Sequence, residues 1–583
     1  MSHALKLMRP ARREIAQLRS QRWFAASGMR AFAHRQRLQQ TGWRRDEIMG
    51  RPVIGILNTW SDLSTCHVHL RDRAEAVKRG VIAAGGFPIE LPAMSLGEVM
   101  VKPTTMFYRN FLAMEAEELI RSHPVDGVVL LGGCDKTTPG LLMGAISAGL
   151  PAQFVPAGPA LNGWWRGEKL GAGTHTRKYF DALRAGELSE AEWIELEAAM
   201  MRSFGTCNTM GTASTMTFLA ETLGMAPPGS ATVPAADSQH IRQAAAAGER
   251  AVAMVFEDLR PAEILTPRAF EDAIVVHCAL GGSTNAVIHL TAMARRAGVE
   301  LSLEDFARIA PTVPLLIDLM PSGGYLMEDL HIAGGSRAVL MRLAGRLDLE
   351  RLTVSGQSLG ANLAGAQIFN EDVIRPLDRP VSDRPALAVL RGTLAPDGAV
   401  IKPSAASPHL LRHRGLAVVF ETQAELAARI DDPALDIDEH SVLVLKNAGP
   451  VGAPGMPEWG ALPIPQKLLQ RGVRDMVRIS DARMSGTHFG CCILHVAPEA
   501  AVGGPLAVVR TGDPISLDVA AGRLDLELPQ GELAARLAAF RPPPPRFERG
   551  YGRLFQAHIA QAPSGCDFDF LAGTAPTAEP EIF

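Results

Sequence analysis

Three cysteines stand where chemistry is expected. Cys134 lies in GGCDKTTPG (132–140), directly after the apolar run DGVVLL, and Cys66 lies in NTWSDLSTCH (58–67), directly after VIGILN. Cys207 lies in FGTCNTMGTAS (204–214), a Gly/Thr/Ser-rich loop leading into a helical pattern. In open parallel sheets the loops at the carboxyl ends of strands form the ligand crevice. Gly132 and Gly133 let the backbone turn tightly and approach a ligand closely. Successive members of the set are about seventy residues apart, so they would converge in space from separate βα units. A structural zinc site or a thioredoxin-like dithiol would show short local pairs, which are absent. Any one of these thiols alone is better explained as a packing residue. Three in such loops point to a metal centre, although spacing does not name the metal. Three thiolates leave a cluster one open position, which a Lewis acid requires and an electron carrier does not. Of the other cysteines, Cys491 and Cys492 open the apolar stretch CCILHV and read as core. Cys278 before a Gly-Gly turn reads as packing, and Cys566 in the tail is not assigned a place.

A second set is acidic. Asp135 and Lys136 follow Cys134, Glu98 closes LPAMSLGE, and Glu458 lies in the loop GAPGMPEWG (452–460). Carboxylates in tight loops suit Mg²⁺, a hard ion that prefers oxygen ligands. Singly, each is what a solvated loop acid looks like. Lys136 reads as a counter-ion or a partner for a substrate carboxylate. Ser485, in SDARMSGTHFG (480–490), precedes Gly486, whose small size permits close approach; on its own it reads as a turn former. No Gly-x-Ser-x-Gly elbow surrounds it, so a hydrolase triad is not indicated. His67 and Thr487 are candidate substrate contacts, and His69 could share that role; a histidine making a structural hydrogen bond at a helix start explains His67 and His69 about as well.

These residues need strands and helices to bring them together. Val53–Asn58 is a buried-strand candidate, and Leu70, Ala74, Val77 and Val81 then recur at helical spacing up to Gly85-Gly86. Residues 126–131 give a second strand, followed by the helix-like LLMGAISAG. This βα alternation predicts an α/β domain with a parallel sheet covered on both faces. Near Pro376, Pro380 and Pro385 the pattern changes. Residues 386–391 and 399–402 flank the turn Pro396-Asp397-Gly398, and Ile515, Leu517 and Val519 alternate, as do Leu524, Leu526 and Leu528. The expected organisation is an N-terminal arm (1–50), an α/β domain (51–385) and a β-rich sandwich or barrel (386–583). Four prolines at 542–545 mark a stiff connector into the tail.

At 583 residues the chain exceeds one ordinary core. Its net charge of −4 and 5% aromatic content give no reason to expect nucleic acid as a partner. No apolar run is long enough to span a bilayer, and a cytoplasmic location is expected. The first 24 residues carry six basic residues against one acid, Glu14. That composition fits either an organelle-targeting peptide or, the preferred reading, a helical arm packed on the body or on another subunit.

Taken together, NTWSDLSTCH, GGCDKTTPG, FGTCNTMGTAS, GGSTNAVIHL (281–290), GAPGMPEWG and SDARMSGTHFG resemble the dihydroxy-acid and 6-phosphogluconate dehydratase family, in order and over nearly the whole chain. Residues 85–119 are most similar to its sugar-acid branch, particularly the L-arabinonate dehydratases. The resemblance implies an N-terminal α/β domain and a C-terminal β-barrel of the aconitase-swivel type, with the site between them in homodimers or homotetramers. It implies that Cys66, Cys134 and Cys207 hold a 2Fe–2S cluster, that Glu98, Asp135 and Glu458 bind Mg²⁺ with a carbamylated Lys136, and that Ser485 is the base. The reaction implied is dehydration of an aldonate, such as L-arabinonate, to its 2-keto-3-deoxy acid. In that scheme Mg²⁺ binds the carboxylate and 2-hydroxyl, and the cluster activates the 3-hydroxyl. One departure concerns the first cysteine loop, where Ser64-Thr65 replace the family's usual Asn-Pro or similar pair. The alternatives are a dihydroxy-acid dehydratase of branched-chain amino-acid synthesis, or an iron–sulfur electron carrier or sensor. No cluster of basic residues marks a phosphate site.

Overall fold

Continuous apolar runs bounded by glycine and polar loops become the strands of a parallel sheet. In the computed structural model, which describes residues 6–574 and 578–582, these are β1 (Val53–Asn58), β2 (Phe87–Pro92), β3 (Gly127–Gly132) and β4 (Ala152–Pro156). They pair in parallel in the order β2-β1-β3-β4. Both faces are covered, which is why the strands are apolar throughout rather than alternating. Ile54, Ile56, Val129 and Leu131 pack against the helices Leu70–Ala83 and Ser238–Glu257. On the opposite face, Val53, Leu57, Val128 and Leu130 pack with Leu112, Ala116, Leu141 and Ala145 of the helices Thr105–Ser122 and Thr137–Ala148. The helical spacing read at Leu70, Ala74, Val77 and Val81 is the buried face of the first of these helices. A small hairpin, β5 (Gly163–Trp165) and β6 (Glu168–Leu170), precedes the helix Thr174–Ala185.

The second sheet runs β14-β13-β9-β10-β11-β12-β8-β7. Its strands are β7 (Ala388–Leu390), β8 (Gly398–Ile401), β9 (Arg412–Phe420), β10 (Val442–Leu445), β11 (Val477–Ser480), β12 (Cys492–Ala497), β13 (Pro514–Asp518) and β14 (Arg523–Leu526). A bridge between Arg391 and Arg523 links the two outer strands, so the sheet is a nearly closed barrel rather than a sandwich. The two hairpins expected from the sequence are present. The centre differs from a hairpin barrel, because β9, β10, β11 and β12 run parallel. Their connections, including 447–460 and 481–490, are long enough to cross over. Inside lie Val442, Val444, Val477, Ile479, Ile493 and Leu517.

The ends of the chain tie back to the α/β half. Arg9 and Arg12 pair with Glu263, Arg13 with Asp258, and Arg19 with Glu579. The basic stretch is thus used in contacts with the body. Among the described residues it is not a continuous helix: before Met29–Gln39 these form only the short turns Ile15–Gln17 and Gln21–Phe24. Cys566 is buried, and the tail around it packs Phe555 and Phe568 on Met106 and Phe107. Among the described residues no helix is long and apolar enough to cross a membrane.

Candidate active site

Strand ends position the cysteines. Cys134 stands two residues past β3 with φ of 64°, in the left-handed region that non-glycine residues seldom enter. A Cβ on Gly133 would lie 2.5 Å from Ala157 Cβ, so glycine is needed for the turn to sit against the end of β4. The loop of Cys207 is drawn in by a bridge between Pro159 and Thr206, and Gly205 N donates to Thr65 O at 3.0 Å, joining it to the loop of Cys66. The Cys66 thiol meets that of Cys134, and this contact together with burial pushes it up. Burial, with Asp135, Cys134 and Glu458 close by, also pushes Cys207 well above the ordinary thiol range. The three thiols are brought together, two from loops after strands, whereas Cys207, expected from a third βα unit, comes from a loop that follows the helix Glu190–Ala199. By contrast Cys278, Cys491 and Cys492 are buried packing residues.

Lys136, fully buried, is the centre of the acidic set. Its Nζ lies 2.9 Å from Glu98, 3.2 Å from Asp135 and 3.0 Å from Glu458. Burial and Arg483 both favour its neutral form, but Glu458, Glu98 and Asp135 outweigh them and hold it as an ammonium. Burial raises Glu98 and Asp135, whereas Lys136 and Arg483 overcome burial and pull Glu458 down. The carboxylates are thus gathered on an ammonium. Among the described residues no three His, Cys, Asp or Glu side chains form a ready metal cage. The donor chemistry nonetheless sorts in two, with thiols for a soft metal and carboxylate oxygens for a hard one.

Glu458 lies in the long loop after β10 and Ser485 in the loop after β11, so connections between parallel strands of the barrel present both. Several residues that make this arrangement stand outside the sequence reading. Arg483 Nη1 donates to Glu458 at 2.9 Å, its Nε to Met456 O at 2.8 Å and its Nη2 to Thr104 Oγ1 at 3.3 Å. Thr104 donates to Glu98 at 3.1 Å, and Thr105 also donates to it. Asn285 Nδ2 reaches Glu458 at 2.9 Å and Thr212 Oγ1 at 2.9 Å. The available signal was their place inside the quoted motifs, since Arg483 lies in SDARMSG and Asn285 in GGSTNAV.

Ser485 is half-buried, with its Oγ 2.9 Å from Thr487 Oγ1. A Cβ on Gly486 would stand 2.6 Å from Ser283 Cβ and 2.8 Å from Thr212 N. The close approach read from Gly486 is therefore real, and it presses the serine loop onto the loop of Asn285. His67 differs from its expected role. It is wholly buried, with Nδ1 2.8 Å from Ser95 Oγ and Nε2 2.9 Å from Gly133 O, and burial depresses it to about 4. Both ring nitrogens are used within the protein, so it ties the loop of Cys66 to that of Cys134 instead of facing a substrate. His69 is bonded through Nε2 to Ala157 O and stacked on Phe204, while its Nδ1 is buried without a partner among the described residues.

Residues 51–362 match the dihydroxy-acid/6-phosphogluconate dehydratase N-terminal model, and residues 372–566 match its C-terminal counterpart. The chain belongs to this family. A 6-deoxy-6-sulfo-D-gluconate dehydratase of Pseudomonas putida is 59% identical over 98% of this chain and 99% of its own length. An L-arabinonate dehydratase of Rhizobium leguminosarum bv. trifolii is 53% identical, covering 95% and 96%. An L-arabonate dehydratase of Azospirillum brasilense is 52% identical, covering 96% and 97%. These family members align over essentially the whole α/β-plus-barrel architecture.

Proposed function

We propose that this chain is a hydro-lyase that dehydrates an aldonate to its 2-keto-3-deoxy acid. The observation that carries the reading is the adjacency of two donor sets through consecutive residues: Cys134 faces Cys66 and Cys207, while Asp135 and Lys136 face Glu98 and Glu458. A 2Fe–2S cluster on the thiols and Mg²⁺ among the carboxylates, with Lys136 as a carbamate, would supply Lewis acidity for the departing 3-hydroxyl and for charge developing on the carboxylate.

The protein's own groups do the rest. Ser485 Oγ, in the loop after β11 and deprotonated to an alkoxide beside the cation, takes the proton from carbon 2 and becomes a hydroxyl, and Thr487 Oγ1 orients it. Arg483 and Asn285 fix Glu458, and Thr104 and Thr105 fix Glu98, so that the acidic set holds its shape as substrate arrives. His67 keeps the two cysteine loops in register from behind. A non-catalytic electron carrier has no use for the acidic set or for Ser485, which disfavours that alternative.

The sugar-acid class is favoured over a branched-chain dihydroxy acid because three of the four relatives at 52–59% identity carry sugar-acid names, the fourth being named only a putative dehydratase. L-Arabinonate and 6-substituted gluconates are both within that class. Homodimers or homotetramers belong to the same reading, supported by exposed Leu63, Val99 and Met100 on the loops of Cys66 and Glu98. Anaerobic incubation of the reconstituted enzyme with Mg²⁺ and a panel of pentonates, hexonates and 2,3-dihydroxy-isovalerate tests the proposal. Formation of 2-keto-3-deoxy acids from aldonates is expected. Turnover of the dihydroxy-isovalerate alone would overturn it.

A further inference from the structure

The helix Thr174–Ala185 is docked on the serine loop. Thr174 Oγ1 donates to Thr487 O at 2.7 Å, and a Cβ on Gly173 would stand 2.3 Å from Thr487 Oγ1. One turn on, Arg177 N donates to Gly173 O at 3.1 Å, which sets the start of the Arg177 side chain beside that contact. Among the described residues the Arg177 guanidinium makes no hydrogen bond or ion pair, and its Nε is buried without a partner. Its basic neighbours are all paired: Arg184 with Asp431 at 2.8 Å, Arg474 with Glu187 at 2.8 Å, Arg478 with Asp475 at 2.9 Å and Lys178 with Glu168 at 3.1 Å. The charges that Arg177 feels are Glu458, Asp181 and Cys207. It also acts on His488, whose Nδ1 is buried without a partner on the serine loop. Arg177 therefore stands on the helix face docked on the serine loop, with Glu458 and Cys207 as the site charges nearest to it.

We propose that Arg177 is a specificity-determining residue that receives a terminal oxyanion on carbon 6 of the substrate, a sulfonate in preference to a phosphate. The inference rests on the aldonate reading above. With the substrate carboxylate at the acidic set and carbon 3 beside the cysteines, the remaining carbons run on toward Arg177. A partly buried guanidinium gains most from an anion that accepts two parallel hydrogen bonds, which a sulfonate does. One unpaired cation matches one negative charge, whereas a phosphate dianion would call for more. The relative that is 59% identical is named for a 6-sulfo acid.

The test compares 6-deoxy-6-sulfo-D-gluconate, 6-phospho-D-gluconate and D-gluconate as substrates of the loaded enzyme, for wild type, Arg177→Gln and Arg177→Lys. The ratio of kcat/KM values between substrates is read, because it does not depend on the fraction of active protein. The wild-type ratio of sulfonate to D-gluconate is expected to exceed tenfold. Arg177→Gln should lower it at least tenfold, mostly through KM, and Arg177→Lys should restore part of it. A ratio unchanged in Arg177→Gln would overturn the assignment, leaving Arg177 as a counter-ion of Glu458 only. A wild-type preference for the phosphate would overturn the sulfonate choice. Absence of turnover with every aldonate would instead defeat the aldonate reading itself.

Discussion

Lys136 and Glu458, 322 residues apart in sequence, meet at 3.0 Å with both side chains shielded from solvent. The contact joins the end of β3 in the parallel sheet to the end of β10 in the barrel, so one ion pair fixes the site and the seam between the halves together. Arg483 shares the same Glu458 oxygen at 2.9 Å. In the chain without Mg²⁺, where Lys136 is an ammonium, Glu458→Gln therefore removes a charge that two buried cations use. Breaking a buried pair on one side costs about 3 kcal/mol or more. Denaturant unfolding should show a lower midpoint of that order, and turnover should fall at least about 100-fold with loss of an ordered anionic ligand. An unchanged midpoint would mean that the seam is held by apolar packing alone.

Ser485 and Thr487 form a second pair, at 2.9 Å. Ser485→Ala should reduce kcat by at least about 10²-fold, the range of a lost general base, while the visible absorption of the reconstituted cluster stays. Thr487→Val keeps the volume and loses the hydrogen bond, and should cost about tenfold in kcat. Full turnover in Ser485→Ala would remove Ser485 from the chemistry.

Legibility followed from local against distant causes. The strands at 53–58 and 127–132 are readable because a doubly covered parallel strand must be apolar along its whole length, and the loops after them then mark the crevice. Cys66, Cys134, Asp135 and Lys136 follow directly. Arg483 and Asn285 are less legible, since an arginine after a strand and an asparagine starting a helix look like a surface charge and a cap. Only burial and the approach of Glu458 from another unit give them work. The same holds for the four parallel strands of the barrel, because the alternating pattern of a half-buried strand does not state the direction of its neighbour. For His67 the sequence leaves a substrate contact and a structural hydrogen bond equally open, and the bonds of both its nitrogens to protein favour the second.

The cysteines separate into two groups by position, and substitution should reproduce the division. Cys134→Ser in the left-handed turn after β3 should abolish both iron retention and activity, because a serine hydroxyl is a poor iron ligand. Cys278→Ser, within the helix Pro267–Leu280, should retain iron and lose only stability, of order 1–3 kcal/mol for an unsatisfied buried hydroxyl. Iron content per chain and the visible spectrum after anaerobic reconstitution distinguish these outcomes. Equal iron loss in both would show that packing, not ligation, governs the site.

His277 supplies a pH dependence that can be isolated. It is fully buried, with Nε2 2.9 Å from Ser283 O, and thereby props the loop that carries Asn285 to Glu458. Burial, helped by Lys402, depresses it to about 4 from 6.5. The folded form therefore keeps His277 neutral where the unfolded chain protonates it. Its contribution is fully present above pH 6.5 and is lost as the pH falls toward 4. Between pH 7.5 and 5 that loss amounts to about 2 kcal/mol. Other buried groups titrate over the same range, Asp481 in the opposite sense because burial and Glu499 raise it to about 7, so absolute stability is a poor readout. The difference between wild type and His277→Gln cancels them. Measured by urea unfolding, the advantage of wild type should shrink by about 2 kcal/mol from pH 7.5 to pH 5. A difference constant across that range would mean that His277 is protonated in the fold, bonded through a charged ring, and that its burial is offset by a partner other than Ser283.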